Sequence, residues 1–218
     1  MGTLYIVSTP IGNLKDITLR AIEILGNVDI VACEDTRVTG RLLTHLNISK
    51  KMLAVSDFNE EKMVSEIITI LNAGKDIALV CDAGTPLISD PGFKIVREAV
   101  SRNIRVESIP GASASIAALS ISGLATDKFM FIGYLSKKDL KRESQIKDIK
   151  KIAETVKTTF ILYESPYRVV KTLDSIKNVF GDINIVVCRE LTKLHEEIYR
   201  GKISEFKMNL KGEFVILF

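Results

Sequence analysis

The sequence predicts an α/β protein made of two α/β domains, on three observations. Short apolar runs of strand length alternate with helical apolar spacing from the first residues to about residue 120. The connections leaving those runs are rich in glycine and proline, above all Asp82-Ala83-Gly84-Thr85-Pro86-Leu87-Ile88-Ser89-Asp90-Pro91-Gly92. The alternation then breaks at Ser122-Gly123-Leu124-Ala125-Thr126-Asp127 before new strands begin. A first domain over residues 1–120 and a second over 121–218 follow.

Thr3 to Ser8 reads as the first strand. It runs into Thr9-Pro10-Ile11-Gly12-Asn13-Leu14, a loop of the kind that lines a site, after which Asp16 or Thr18 caps a helix with Leu19, Ile22 and Leu25 on its apolar face. Asp29 to Cys33 is a second strand, ending in Glu34-Asp35-Thr36-Arg37, and Met52 to Val55 is a short third. A helix follows with Met63, Ile67, Ile70 and Leu71 on one side. Ile77 to Cys81 is apolar throughout, as a parallel strand buried on both faces is, and it leads into the Asp82–Gly92 loop. Asp90 with Pro91 behind it predicts the start of the next helix, whose apolar positions are Phe93, Ile95, Val96, Ala99 and Val100. Arg105 to Ile109 is a fifth strand, ending in Pro110-Gly111-Ala112-Ser113-Ala114-Ser115 ahead of a small-residue helix from Ile116 to Ser122. Strands and helices in this order make a parallel sheet with helices on both faces.

After the break, Phe129 to Gly133 is a strand, followed by a basic stretch containing Lys137, Lys138, Lys141, Arg142, Lys147, Lys150, Lys151 and Lys157. Thr159 to Tyr163 is a strand, Ser165-Pro166 caps a helix running to Val179, and Ile183 to Cys188, Ile198 to Arg200 and Glu213 to Phe218 are strands. Two such domains are expected to face each other across a cleft, a common setting for a small-molecule site.

Composition excludes several classes. Hydrophobic residues are 46% and charged residues 26% of the 218, with no low-complexity tract and no apolar run long enough to span a bilayer. No basic residue precedes the first apolar run, which points to a strand in a cytoplasmic protein and away from a signal peptide. Cys33, Cys81 and Cys188 are odd in number, lie in apolar runs and lack metal-ligand spacing, so they read as small buried hydrophobes. With only His45 and His195 beside them, no metal is expected. A net charge of +3 does not by itself demand a nucleic-acid partner; the concentration of lysines after residue 136 bears on that more than the sum does.

The first domain has glycine-bearing loops after three strands, at Gly12, Gly84 and Gly111, with neither the glycine spacing of a dinucleotide fingerprint nor the lysine of a phosphate loop. Loops at the carboxyl ends of parallel strands are where open α/β sheets bind ligands. Backbone groups, small residues and apolar walls suit an adenosine-like edge without a pyrophosphate. The plainer alternative is a set of well-capped connections.

Six motifs in order carry a resemblance. They are Gly2-Thr3-Leu4-Tyr5-Ile6-Val7-Ser8-Thr9-Pro10-Ile11-Gly12-Asn13-Leu14, Cys33-Glu34-Asp35-Thr36-Arg37, Gly84-Thr85-Pro86 to Ser89-Asp90-Pro91-Gly92, Pro110-Gly111-Ala112-Ser113, Tyr163-Glu164-Ser165-Pro166-Tyr167-Arg168, and Arg189-Glu190-Leu191-Thr192-Lys193 with His195-Glu196-Glu197. Together they resemble the 16S ribosomal RNA cytidine 2′-O-methyltransferases of the tetrapyrrole methylase superfamily, class III among S-adenosylmethionine methyltransferases. The resemblance implies S-adenosyl-L-methionine bound in an interdomain cleft, a homodimer, and methylation of a decoding-centre cytidine ribose in the small ribosomal subunit. Carried onto this chain, it places cofactor contacts at Pro10, at Gly84, Thr85, Pro86 and Ile88, and at Gly111, Ala112 and Ser113, with Tyr163 closing the site from the second domain. Members often continue past Gly212-Glu213-Phe214-Val215 into a helical segment, whereas this chain ends at Phe218. A tetrapyrrole or protein acceptor, or a non-catalytic binding module, are the alternatives.

A sulfonium methyl is already activated, so attack by a ribose hydroxyl needs alignment first and proton removal second. Glu34, Asp35, Glu164 and Glu190 stand at strand ends and are candidate bases. Asp35 can instead cap a helix and pair with Arg37, Glu164 can serve a helix start, and Arg168 and Arg189 can clamp phosphates or pair with acids. The expected acceptor side is Glu34, Arg37, Glu164 and Arg168. Lys138, Lys141 and Arg142 are expected to meet RNA phosphates.

Overall fold

The computed structural model describes residues 1–56 and 59–218. Two compact units divide between Ser113 and Ala114. The first contains β1 (Leu4–Val7), α1 (Leu19–Asn27), β2 (Ile30–Cys33), α2 (Thr36–His45), β3 (Lys51–Ala54), α3 (Glu60–Asn72), β4 (Ile77–Leu79), α4 (Phe93–Ser101) and β5 (Val106–Ile109). Its five strands lie in the order β3-β2-β4-β1-β5 and every pairing is parallel.

Both faces of this sheet are covered, and the two-residue period of the strands decides which side chain goes where. Ile30, Ala32, Ile77 and Leu79 pack against Met63, Ile67 and Leu71 of α3 and Ile95 and Ala99 of α4. Their neighbours Val31, Cys33, Ala78 and Val80 pack against Ala21 and Leu25 of α1 and Leu43 of α2. Cys33, Cys81 and Cys188 are free thiols buried among such side chains, and burial raises the pKa of each.

Of the two caps considered for α1, Thr18 serves: its hydroxyl accepts from Ala21 N at 3.1 Å. The start of α4 differs from the expectation. The helix begins at Phe93 with Gly92 as N-cap at φ 123°, and neither Asp90 nor Pro91 opens it. The cap comes from another helix. One carboxylate oxygen of Glu60, in the first turn of α3 and only 6% exposed, accepts from Gly92 N at 3.0 Å and Lys94 N at 2.9 Å. Negative charge at a helix N-terminus is favourable, so Glu60 does what a local Asp or Ser usually does.

The second unit contains α5 (Ala114–Ser122), β6 (Phe129–Tyr134), α6 (Asp139–Thr155), β7 (Thr159–Glu164), α7 (Val169–Phe180), β8 (Asn184–Arg189), β9 (Glu197–Lys202) and β10 (Phe214–Leu217). The boundary read near residue 120 falls inside α5, which packs on β7 and β10. Its sheet runs β6-β7-β10-β8-β9, with β6 and β7 parallel and the other pairings antiparallel. The last strand thus occupies the middle. On the edge strand β6 the register shifts between Phe131 and Gly133.

The basic stretch is mostly α6. Lys137, Lys138, Lys141, Lys147, Lys151 and Lys157 are exposed as expected, but Arg142 is not. It is 5% exposed, donating to Ser175 Oγ of α7 at 3.1 Å and to Asp139 Oδ1 at 2.8 Å. Arg142 therefore fastens α6 to α7, and the expected phosphate contact is corrected to a packing role. Among the described residues no helix is long and apolar enough to cross a membrane.

Candidate functional site

Three loops leave the carboxyl ends of neighbouring strands β4, β1 and β5, and polar bonds tie them into one cradle. Thr9 and Gly84 exchange backbone hydrogen bonds, Thr9 N to Gly84 O at 2.8 Å and Gly84 N to Thr9 O at 3.1 Å. The Thr9 hydroxyl donates to Cys81 O at 3.3 Å. The Thr85 hydroxyl donates to Ala112 O at 3.1 Å and shares a 3.0 Å bond with Ser8 Oγ, so Ser8 is the donor in that pair. Pro10, Gly84, Thr85, Pro86, Gly111, Ala112 and Ser113 are thereby gathered in the first unit. Ile88 lies farther along the Asp82–Gly92 loop, 43% exposed.

Glycine is required at two of these positions. Gly84 has φ +87°, and a Cβ there would meet Ile11 Cγ2 at 3.3 Å; at Gly111 a Cβ would meet Ser8 Cβ at 2.9 Å. Leu87 and Ser89 also carry positive φ, 71° and 68°, a conformation with a steric cost for side chains like these. Thr9 opens the loop expected to line a site; Ser8, read only as the end of the first strand, is a member of the cradle to which the sequence reading gave no role, although a polar residue closing an apolar strand was a usable signal.

An acidic rim stands beside it. Connections from β2 and β4 leave in opposite directions across the sheet, to β3 and β5 respectively, and adjacent strands of that kind open a crevice at their carboxyl ends. Glu34 and Asp35 follow β2, and Asp82 follows β4, where its Oδ1 accepts from Asp35 N at 3.1 Å. Burial raises the Asp82 pKa, against the opposing pull of the hydrogen bond from Asp35 N and the charges of Arg37 and Arg41. The Cys81 thiol is pushed up first by burial, then by the charge of Asp90, with Glu34 adding. Asp35 is the N-cap of α2: Oδ1 accepts from Arg37 N at 2.8 Å, and the carboxylate also takes the Arg37 guanidinium. Those bonds from Arg37 hold its carboxyl down at about 2. The Arg37 side chain is 87% exposed and borders a shallow groove of about 480 Å³ with Asp35, Val38 and Arg41.

The sign of the Asp35 effect follows from linkage. Its folded-state pKa lies below the unfolded value, so its contribution to stability is present above about pH 4 and is lost as pH falls toward 2. Asparagine also caps helices. The melting temperature of Asp35→Asn is therefore expected to lie below wild type at pH 7, with the difference closing near pH 2. A constant difference over that range would contradict the assignment.

In the second unit, Tyr163 on β7 accepts from Ser115 N at 3.2 Å, holding the start of α5, and its ring packs edge-on against Phe131 and Tyr134. Glu164 and Arg168 form the turn into α7. The Glu164 side chain, 1% exposed, accepts from Ser165 N at 2.7 Å, Thr172 Oγ1 at 2.6 Å and Arg168 Nη2 at 3.0 Å, and Arg168 also reaches Leu135 O at 2.7 Å. Every one of these bonds serves the unit's own framework. These bonds build the turn into α7, and among the described residues Arg168 Nε is buried without a hydrogen-bond partner; the acceptor role expected of Glu164 and Arg168 rests on the resemblance alone. Ser165-Pro166 does not cap α7 by side chain; Ser165 O accepts from Arg168 N and Val169 N instead. Arg189 pairs with Glu197 at 3.1 Å, and Lys193 ties Glu190 to Glu213. Among the described residues no group of His, Cys, Asp and Glu is placed to hold a metal ion.

The cradle holds no lysine or arginine to grip phosphate, and the hydroxyl hydrogens of Ser8, Thr9 and Thr85 are spent on bracing the loops, so main-chain groups are what it offers a ligand. That fits an uncharged nucleoside edge, with carboxylates nearby for a cationic group. Residues 3–207 match the family described as Tetrapyrrole (Corrin/Porphyrin) Methylases. The uroporphyrin-III-C-methyltransferase of Thermus thermophilus shares the fold at a TM-score of 0.67 and 17% identity, over 100% of this chain and 94% of that one. The chain belongs to the tetrapyrrole methylases. Within them it belongs with proteins named ribosomal RNA small subunit methyltransferase I. It is 46% identical to the one from Synechocystis sp., over 100% of this chain and 78% of the relative, and 43% identical to that of Mycoplasmopsis pulmonis, over 100% and 98%. The Hydrogenobaculum sp. protein of that name is 44% identical, over 98% and 94%.

Proposed function

We propose that the chain methylates small-subunit ribosomal RNA with S-adenosyl-L-methionine, at the ribose 2′-oxygen of a decoding-centre cytidine. The observation that carries this reading is the three-loop cradle, braced through Ser8, Thr85 and Ala112 and devoid of phosphate-gripping cations, in a chain whose relatives bear an rRNA methyltransferase name. When bound, the cofactor supplies an electrophilic methyl on a positively charged sulfur.

The residues of the chain do the rest. Backbone groups at Gly84, Thr85, Gly111, Ala112 and Ser113, with Pro10 and Pro86 as stiff walls, fix the methyl donor so that the hydroxyl approaches in line; orientation of that kind can supply much of the barrier reduction. Glu34 is assigned the role of taking the 2′-hydroxyl proton, and Arg37 that of holding an adjoining phosphate. Tyr163, which accepts from Ser115 N at the start of α5, is assigned a cofactor contact on the family resemblance alone. A homodimer and a cytoplasmic setting are proposed on the family resemblance alone.

The test is transfer of labelled methyl from S-adenosylmethionine to small subunits lacking the modification, with large subunits and naked RNA in parallel, followed by mapping of the label. Label on a small-subunit cytidine 2′-oxygen is expected; label on a base, or none on small subunits, would overturn the reading. In the same assay Glu34→Gln is expected to lower kcat by ~10²–10⁴-fold, with cofactor affinity unchanged by calorimetry. An unchanged kcat would remove Glu34 from the role.

A further inference from the structure

β6 runs parallel to β7, and β7 and β8 are each antiparallel to β10, so β6, β7 and β8 all point the same way. The loops that follow them therefore emerge at one end of the second unit's sheet. Arg168 bonding to Leu135 O shows two of those loops in contact. At this end stands Tyr167, 92% exposed, one of the most exposed large side chains of the chain. Such an aromatic surface contributes nothing to a core, and it sits in a turn made rigid by Glu164 and Thr172. Tyr134, at the end of β6, adds a second ring, 55% exposed.

Lysines without an ion pair outnumber such acids around the rings. Asp139 pairs with Arg142, Glu164 with Arg168, Glu190 and Glu213 with Lys193, and Glu197 with Arg189, and Glu196 accepts from Thr192 N; Glu143 on α6 and Asp174 on α7 make no ion pair among the described residues. Lys137, Lys138 and Lys141, and Lys171 four residues beyond Tyr167, are exposed and make no ion pair among the described residues. Unanswered cations around a rigid, exposed aromatic meet both demands of RNA outside a helix, phosphates to neutralise and an unstacked base to cover. An acidic protein surface would use the lysines and leave the ring idle.

Resting on the function proposed above, we infer that this end of the second unit docks single-stranded or looped RNA, with Tyr167 stacking on an unpaired base and Lys137, Lys138, Lys141 and Lys171 contacting phosphates. The ring belongs to docking and takes no part in the chemistry.

The test uses the full chain in two measurements, methyl transfer to small subunits and fluorescence anisotropy with a labelled single-stranded RNA oligonucleotide. Tyr167→Ala is expected to raise the KM for small subunits and weaken oligonucleotide binding by roughly 5- to 100-fold, the effect of losing one base stack. The kcat and cofactor affinity should hold, and Tyr167→Trp should restore KM. Lys137→Ala with Lys138→Ala should flatten the log–log salt dependence by about 1.4, two phosphate contacts at the single-strand value. If wild type methylates subunits while Tyr167→Ala keeps both KM and oligonucleotide affinity within twofold, the docking surface lies elsewhere and the function stands. If wild type transfers no label to subunits, the function fails, and the anisotropy series alone decides the surface. Weakened capture of subunits without any change on naked oligonucleotide would point to a ribosomal protein as the partner and overturn the RNA assignment.

Discussion

Gly84→Ala is expected to weaken S-adenosylmethionine binding at least tenfold while lowering the melting temperature by only several degrees. An L-residue at φ +87° carries a steric cost of about 1–2 kcal/mol, which in a chain of this length corresponds to roughly 2–8 °C. The larger effect is geometric. The added Cβ would press on Ile11 Cγ2 at 3.3 Å and approach Ala112 O at 3.7 Å, and both belong to loops that Gly84 itself helps to align. To relieve the contact the backbone must shift, and the Thr9–Gly84 bridge and the Thr85 bonds to Ser8 and Ala112 shift with it. A cofactor recognised through main-chain groups has no flexible side chain to absorb that movement. Isothermal calorimetry measures the affinity and differential scanning calorimetry the fold; an affinity within twofold of wild type would remove this loop from the proposed cofactor site.

Glu60→Ala is expected to cost about 2–4 kcal/mol of unfolding free energy, a large share of what domains possess. The carboxylate is 6% exposed and is the acceptor for two amides at the start of α4, so its removal leaves both without that partner. Glu60→Gln keeps a carbonyl acceptor and loses the charge, and should cost about 1 kcal/mol. Denaturant unfolding of the pair separates bond from charge: equal costs would show that the charge, and not the acceptor, carries the contribution, and no cost in either would remove Glu60 from the capping role. Because α4 starts where the Asp82–Gly92 loop ends, the alanine variant should also loosen that loop.

How much of this was legible in sequence depended on how local its cause was. Alternating apolar runs and helical spacing revealed the first sheet and its two helical layers, because burial on both faces writes itself into each strand, as in Ile77 to Cys81. The insertion of β4 between β2 and β1 had no local signature, since strand order is set by crossover geometry. The start of α4 was misplaced for the same reason: its cap lies on α3, far away in sequence. Asp90-Pro91 looked like a cap because nothing local contradicted it. Arg142 was readable and was passed over. It precedes Ile146 and Ile149 by four and seven residues, the inner stripe of α6, while the surrounding lysines fall on the outside. The cradle loops were recovered from glycine, proline and motif order together. Glu164 and Arg168 were recognised as a motif, but their bonds to Thr172 and to Leu135 O had no local signature.

The central position of β10 has a consequence for the order in which the molecule comes into being. All five strands of the first sheet are present once residue 113 has been synthesised, so that unit can acquire its native pairing while translation continues. The second sheet cannot, because β7 and β8 have their shared neighbour only when Phe214–Leu217 leaves the ribosome. At about 5–20 residues per second, the roughly hundred intervening residues keep the nascent second unit open for some 5–20 s, its central strands in search of a partner. A stalled or shortened chain would release a finished first unit joined to an unclosed sheet, the form most exposed to chaperones and proteases.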